Sequence, residues 1–390
     1  MRIVHTEASC GWGGQEIRIL TEAAGLIRRG HDVTLLCPAE SQIYLAAPKY
    51  GLPVIALPIG RKRLGPLLAL RRWLAEHINE IDIINTHSST DSWLAAVACA
   101  TLKNAPPIVR TRHVSSPINT SATTFWLYQK AVKHIAVTGE PLRHQLARDN
   151  GFALDSITSI PTGIDLERYK PRDQAACREM LGLPTTGMVV GILATLRDWK
   201  GHIYLFEAFA ELLPQFPDLK LRIIGDGPFL WRLEERVAEL NIGHAVSFVG
   251  HKENAEIWLA TLDLFVLPSY GDEGVSQALM QAMATGLPVI TTPVGGLTDL
   301  VTNNNTESDT GLLVPPRDSH ALAAAMKRLL DDVSLRTRLA TAGRIFAQTH
   351  CGLDKMLDSM EAMFRRYAKP SATSLQSVKS LADNASHSGK

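Results

Sequence analysis

The stretch LFVLPSYGDEGVSQALMQAMATGLPVITT, Leu264 to Thr292, reads as a buried strand, a glycine-rich acidic loop, a helix from Val275 to Thr285 and a second strand. Strand, helix, strand in that order is a crossover unit of a parallel sheet. The same rhythm continues upstream through MVVGILATL, a helix from His202 to Leu213, LKLRIIG, a helix through Leu230 to Leu240, and AVSFVG, and downstream into TGLLVPP. The first half keeps it too, with strands in RIVHTE, DVTLLCP, PVIALP, DIINTH, PIVRTRH, HIAVTG and SITSIP. Between the first two, Glu16 to Arg29 sets Ile17, Leu20, Ala24 and Ile27 on one helical stripe before Gly30. The expectation is an α/β protein with two consecutive doubly wound sheets, each covered by helices on both faces.

The polar segment PTGIDLERYKPRD, Pro161 to Asp173, separates the two rhythms and sets a boundary near residue 170. The expected organisation is a first domain over 1–170, a second over 171–350, a C-terminal helix over 351–368 and a tail over 369–390. That tail is Ser-rich and poor in apolar residues, a composition that cannot offset its ordering entropy, so it is expected to be disordered.

A chain of 390 residues, 45% hydrophobic and 20% charged, suits two domains rather than one. Its formal charge of +1 argues against a polyanion binder and so against nucleic acid. The neutrality is a cancellation: residues 1–170 carry 19 basic against 14 acidic side chains, a bias of +5, and the remainder 21 against 25, a bias of −4. Cys10, Cys37, Cys99, Cys177 and Cys351 are odd in number and lack metal-site spacing, so reduced thiols and a cytoplasmic setting are expected. The N-terminus lacks the apolar run of a signal peptide. The longest charge-free apolar stretch, near Trp93 to Leu102, is about half of the roughly 20 residues a membrane span needs.

Three segments could carry chemistry. In CGWGGQE, residues 10–16, Gly13 and Gly14 stand between a strand and a helix, where a backbone without side chains lets an anion approach the helix N-terminus. The spacing is not the dinucleotide fingerprint, and a tight turn needing positive φ is the alternative. In ATLRDWKGH, Arg197 and Lys200 follow a strand and precede a helix, a placement suited to a diphosphate, although a solvated basic loop has the same composition. In the 264–292 stretch, Glu273 precedes the helix, Gly274, Val275 and Ser276 form its expected first turn, and Gln281 lies about 9 Å farther along. A ligand with an anionic middle would lay its phosphates on that turn and its ends against Glu273 and Gln281. Capping by Glu273 and simple exposure of Gln281 are the alternatives.

At these residues the chain resembles the glycosyltransferase family 4 group of retaining, nucleotide-sugar-dependent enzymes. The resemblance runs to about residue 365 through GWGGQE, RRGHDVTLLCP, PTGID, WKGH, IIGDGP, VSFVGH and the run EG…MATGLPVI…VGG…TGLLVPP. It implies two Rossmann-like domains facing across a cleft, the GT-B fold, with the C-terminal helix packing back on the first domain. It also implies metal-independent transfer of a sugar from a nucleoside diphosphate to a hydroxyl of a saccharide or lipid-linked saccharide, as in lipopolysaccharide or polysaccharide assembly. No cofactor is implied, since the nucleotide sugar is a co-substrate, and the absence of a D-x-D triplet fits that reading. Carried over by position, Glu273 holds donor-sugar hydroxyls, Gly274 to Ser276 the diphosphate, Lys200 with Arg197 its charge, and His251 and Lys252 the base. Gly13 and Gly14 face the donor phosphates, and His87 and His113 point toward the sugar and acceptor; each histidine could instead satisfy a strand-end hydrogen bond.

Two positions depart from the family pattern. Gln281 replaces a glutamate that grips ribose, and Thr195 replaces an arginine whose work would pass to Arg197. An epimerase or phosphorylase of the same fold, or a nucleotide-sugar binder without turnover, are the competing readings. Arg61, Lys62, Arg63, Arg71 and Arg72 surround the apolar segment Leu64 to Leu70, with Trp73 and Leu74 following, which suits either a peripheral contact with an anionic membrane or an ordinary basic surface helix.

Overall fold

The computed structural model describes residues 1–370 apart from 115, 272 and 305. The chain divides into two compact units: one comprises Met1–His113, Pro117–Ile160 and the chain from Met356 onward, the other Val114–Ser116 and Pro161–Lys355. Of the segment read as a tail, residues 371–390 lie outside the described residues. Lys369 lies within them, donating from its backbone N–H to Asp82 O and from Nζ to Ile78 O, each at 3.0 Å.

The first unit holds β1 (Arg2–Thr6), β2 (Asp32–Cys37), β3 (Val54–Ala56), β4 (Ile83–Thr86), β5 (Ile108–Arg112), β6 (His134–Val137) and β7 (Ile157–Ser159). They form one parallel sheet in the order β3-β2-β1-β4-β5-β6-β7. The second holds β8 (Val189–Leu193), β9 (Lys220–Ile224), β10 (Val246–Gly250), β11 (Leu264–Leu267), β12 (Val289–Thr291) and β13 (Leu312–Leu313). Its order is β10-β9-β8-β11-β12-β13, again parallel. These strands fall in the thirteen segments expected from the sequence. β4, β6 and β11 are buried along their whole length, as strands covered on both faces must be. Strand order reverses between β1 and β4 and between β8 and β11, and ligands of such sheets collect beyond the carboxyl ends at that point.

The helix Gly14–Arg28 buries a face that shares only Leu20 and Ala24 with the expected stripe. Ile19, Leu20, Ala23, Ala24 and Leu26 are buried together with Arg18 and Glu22, whereas Ile17 and Ile27 are only partly covered. The reason is a second cover supplied from the far end of the sequence. In the helix Leu353–Tyr367, Met356, Leu357, Met360, Met363 and Phe364 form the buried stripe. A Cβ placed on Gly25 would meet Leu357 Cδ1 at 2.4 Å, Arg29 pairs with Asp358 at 2.7 Å, and Arg18 donates to Met360 Sδ at 3.8 Å. The last helix thus belongs to the first unit from Met356 on, as the family resemblance implies.

Candidate active site

In the second unit the loops after β8 and β11 are held together by backbone contacts that only glycine allows. β8 runs into a 3-10 turn at Asp198–Lys200, and Gly201 at φ +76° then opens the helix His202–Leu212. A Cβ on Gly201 would lie 2.0 Å from Pro268 O, so the turn rests directly on the loop after β11. Tyr270 N–H donates to Trp199 O at 2.8 Å across the same seam.

At this seam Lys200 Nζ stands 2.5 Å from Glu273 Oε1, and Ser269 Oγ donates to the same oxygen at 2.5 Å. Ser269 is fully buried and Glu273 nearly so. Thr292 Oγ1, just past β12, hydrogen-bonds Ser269 O. From below, Gly295 at φ +55° would place a Cβ 1.9 Å from Glu273 O, and one on Gly296 would lie 3.0 Å from Gly274 C. The Glu273–Gly274 peptide can occupy its position only because two glycines lie under it. Ser269, Thr292, Gly295 and Gly296 thus shape the site although the sequence reading assigned them no role; the only signal was the VGG triplet.

The helix after Glu273 begins later than expected. It spans Gln277–Thr285, and Ser276 is its N-cap, accepting from Leu279 N–H at 3.4 Å. Gly274 and Val275 therefore precede the helix rather than form its first turn, because a serine oxygen satisfies the helix N–H only from outside the helix. The consequence for anions is preserved: the helix N-terminus, with its positive dipole end, still follows Glu273. Gln281 is half-buried in the fifth position of this helix.

The remaining expected residues of this unit are more dispersed. Arg197 is exposed and its guanidinium stacks on Trp199, 5.2 Å from the ring centroid. Thr195 is half-buried in the preceding loop. His251 is exposed after β10, and Lys252 Nζ lies 5.4 Å over the Trp258 ring.

In the first unit, the turn from β1 into the helix Gly14–Arg28 does not need positive φ: Gly13 is extended at φ −177°. A Cβ there would meet nothing nearer than Glu16 Oε2 at 3.7 Å, so glycine leaves open space rather than relieving strain. Gly14 is the exposed first residue of that helix. Beside it Glu7 is fully buried, accepting from Ser9 N–H at 2.6 Å and from Gln15 Nε2. Burial, with Asp91 adding repulsion, pushes its carboxyl up to about 8. Asp91 in turn accepts from Thr6 Oγ1 at 2.6 Å and from His87 N–H at 2.9 Å.

His87 and His113 are brought together, and a third imidazole that the sequence reading missed joins them. His5 Nδ1 is 2.8 Å from His87 Nε2, and His87 Nδ1 is 2.9 Å from His113 Nε2. The line crosses β1, β4 and β5 at their carboxyl ends. His5 and His87 are buried and His113 is partly exposed. The period-two pattern of RIVHTE offered the only hint, since it turns His5 inward.

Among the described residues no group of three or more His, Cys, Asp or Glu side chains is disposed to hold a metal ion. Among them, too, no helix is long and apolar enough to cross a membrane.

Comparison with known proteins covers both units. The pattern described as glycosyl transferases group 1 matches residues 173–346, and that described as Glycosyltransferase Family 4 matches residues 12–168. A lipopolysaccharide core biosynthesis mannosyltransferase of Rhizobium meliloti is 37% identical over 191 residues, 47% of this chain and 53% of that protein. A phosphatidyl-myo-inositol mannosyltransferase of Mycolicibacterium smegmatis is 28% identical over 341 residues, 83% of each. In fold, the crystal structure of Anabaena Alr3699/HepE in complex with UDP is similar with a TM-score of 0.81 at 20% identity, covering 94% of this chain and 100% of that one.

Proposed function

Because the chain belongs to the family 4 and group 1 glycosyltransferases and is a nucleotide-sugar-dependent enzyme of GT-B type, we propose the following division of work among its residues. The second unit holds the donor. Lys200 and the amides from Gly274 to Ser276 take the diphosphate, Glu273 meets hydroxyls of the donor sugar, and Gln281 meets the ribose. Arg197 adds charge at the rim, His251 and Lys252 flank the base, and Gly13, Gly14, His87 and His113 of the first unit serve the donor phosphates, the sugar and the acceptor. Anomeric configuration is retained. The acceptor is a hydroxyl of a saccharide or lipid-linked saccharide, and the reaction runs in the cytoplasm, at the inner face of the membrane.

The observation that carries this reading is the Lys200–Glu273 pair at 2.5 Å, set before a helix N-terminus at the carboxyl edge of the sheet. Breaking a sugar–phosphate bond gathers negative charge on the departing diphosphate. A fixed ammonium and oriented N–H groups stabilise that charge without reorganising when it forms. Lys200 and Ser269 both hold Oε1 of Glu273, and among the described residues no hydrogen bond falls on Oε2, which is left for a sugar hydroxyl.

Membrane contact is proposed through the region Arg61 to Trp73. On the helix Leu64–Glu76, Leu64 and Leu68 are 69% and 54% exposed, beside exposed Arg61 and Arg63. Lys62 is engaged with Ser89 at 3.1 Å, Arg71 with Thr101 at 2.9 Å and Arg72 with Glu76 at 2.9 Å, which leaves Arg61 and Arg63 as the basic part of that face. Flotation with liposomes that shows no dependence on anionic lipid would remove this part.

Both curated relatives named above are mannosyltransferases and the solved neighbour is also described in complex with UDP-glucose, so nucleoside-diphosphate mannose and UDP-glucose are the donors to test first. A ligand that binds only the folded state stabilises it by about 2.7 kcal/mol at a hundredfold excess over its Kd, so a thermal-shift panel of UDP, GDP, ADP and CMP identifies the base. A product assay with the matching nucleotide sugar then separates transfer from epimerisation, phosphorolysis and binding without turnover. Glu273→Ala should lower transfer about tenfold or more with the fold intact; turnover near wild type would sink the site assignment.

A further inference from the structure

His5, His87 and His113 form a line of hydrogen-bonded rings, stepping one strand at a time from the interior of β1 to the end of β5. The contacts are 2.8 Å and 2.9 Å, and the His5 and His87 rings stack with centroids 5.1 Å apart. The charged groups acting on the line are cationic: Arg18 from the helix Gly14–Arg28, and Arg110 and Arg112 from β5. Asp91, which accepts from the His87 backbone N–H, is further occupied by the Ser88 N–H and by the hydroxyls of Thr6 and Ser88. Burial and these cations keep the rings neutral at pH 7: His5 is pushed down to about 3, and His87 and His113 fall well below the usual imidazole range.

Three neutral rings carry three protons on six nitrogens. Each contact between rings uses one proton, so the third must stand at an end of the line, on His5 Nε2 or on His113 Nδ1. The two ends differ. His5 Nε2 is buried with no hydrogen-bond partner among the described residues, and the edge-on Phe364 ring of the last helix lies 6.4 Å from the His5 ring. A proton there would be an orphaned buried N–H, which folded proteins avoid more strongly than an unused lone pair. The His113 end is partly exposed, where water or a ligand oxygen can accept.

We propose that His5 and His87 are positioning residues that set the tautomer of His113, holding its proton on Nδ1. In this arrangement His5 Nδ1–H donates to His87 Nε2, His87 Nδ1–H donates to His113 Nε2, and His113 Nδ1–H faces outward as a neutral donor of fixed sense. Such a group hydrogen-bonds a hydroxyl or phosphate oxygen and does not take a proton from the acceptor. What this donor serves rests on the sugar-transfer reading; the tautomer does not, since it is a property of the line itself.

The test uses the full chain. Side-chain ¹⁵N NMR at pH 7 without substrate is expected to show His113 protonated at Nδ1 and bare at Nε2. In His5→Phe, which removes the directing N–H, His113 should become a mixture of tautomers and kcat should fall about tenfold with donor KM unchanged. His5→Asn, whose amide N–H replaces Nδ1–H, should restore the tautomer and most of the rate. An Nε2-protonated or imidazolium His113 in the wild type, or a His113 tautomer indifferent to His5→Phe, overturns the proposal. The expected tautomer with an unchanged kcat in His5→Phe overturns the positioning role, while the sugar-transfer reading stands or falls by its own product assay.

Discussion

Lys200 Nζ lies 2.5 Å from Glu273 Oε1, so without a donor the cation proposed for the diphosphate is already engaged by the acid proposed for the sugar. The pair is only partly screened, with side-chain exposures of 18% and 5%. A diphosphate entering here competes with Glu273 for the ammonium, which couples the grip on the phosphates to the orientation of the carboxylate.

Lys200→Met is therefore expected to lower kcat by about 10²–10³-fold, the usual loss when one preorganised donor to a developing anion is removed. It should also shrink the thermal shift produced by the cognate nucleoside diphosphate. Turnover within threefold of wild type would show that the diphosphate is stabilised elsewhere.

Gly295→Ala is expected to disable the site. Its Cβ would fall 1.9 Å from Glu273 O at a φ of +55°, so the Glu273–Gly274 peptide must move. Gly151→Ala is the control: it has φ +66° but open space around its Cβ. Both substitutions carry the backbone cost of about 1–3 kcal/mol, visible as a lowered Tm. Only Gly295→Ala should also lose nucleotide binding; equal behaviour of the two would contradict the packing argument.

Gln281→Glu should tighten nucleotide binding. A charge-assisted hydrogen bond to a ribose hydroxyl is roughly twice as strong as a neutral one, which corresponds to a gain of about five- to tenfold in Kd. Calorimetric titration of the cognate nucleotide checks it, and an unchanged Kd would place Gln281 away from the ribose.

Glu7 supplies a pH signature. Its folded pKa of about 8 lies above the ordinary 4.5, so the folded chain binds this proton more tightly than the unfolded one. The stability it contributes is present below pH 4.5 and is lost as pH rises toward and through 8. Glu7→Gln, a neutral isostere, should flatten the decline of Tm over that window, measured by calorimetry at a series of pH values. Parallel Tm curves for the two proteins would show that Glu7 does not titrate there.

Much of this architecture was legible in sequence because parallel strands announce themselves. Segments such as DIINTH and LDLFVLPS are short apolar runs followed by polar residues, and those polar residues land at the carboxyl ends of β4 and β11. Lys200 and Glu273 were legible for the same reason. What stayed hidden depends on contacts between distant segments. The buried face of the helix Gly14–Arg28 is set partly by Leu357 and Met360, more than 300 residues away, so its own periodicity found only Leu20 and Ala24 of the buried set. Gly295 is in sequence no different from any other loop glycine, because nothing local says that Glu273 O will lie against it. His5 is in sequence only a polar residue within the strand RIVHTE, and only the pairing of β1 with β4 sets it against His87.

The division of the chain also bears on how the protein is made. The second unit is nearly one continuous stretch, Pro161–Lys355, whereas the first leaves off at Ile160 and resumes at Met356. Domains tend to fold as they emerge, N-terminal first, at about 5–20 residues per second. Here that order is inverted: the unit that begins synthesis is the one that must wait. Until the helix Leu353–Tyr367 has left the ribosome, the surface around Gly25 and Arg18 is bare and His5 lacks its Phe364 cover, so the seven-stranded sheet, all of whose strands precede residue 160, is fully covered only after its younger neighbour has had every residue it needs.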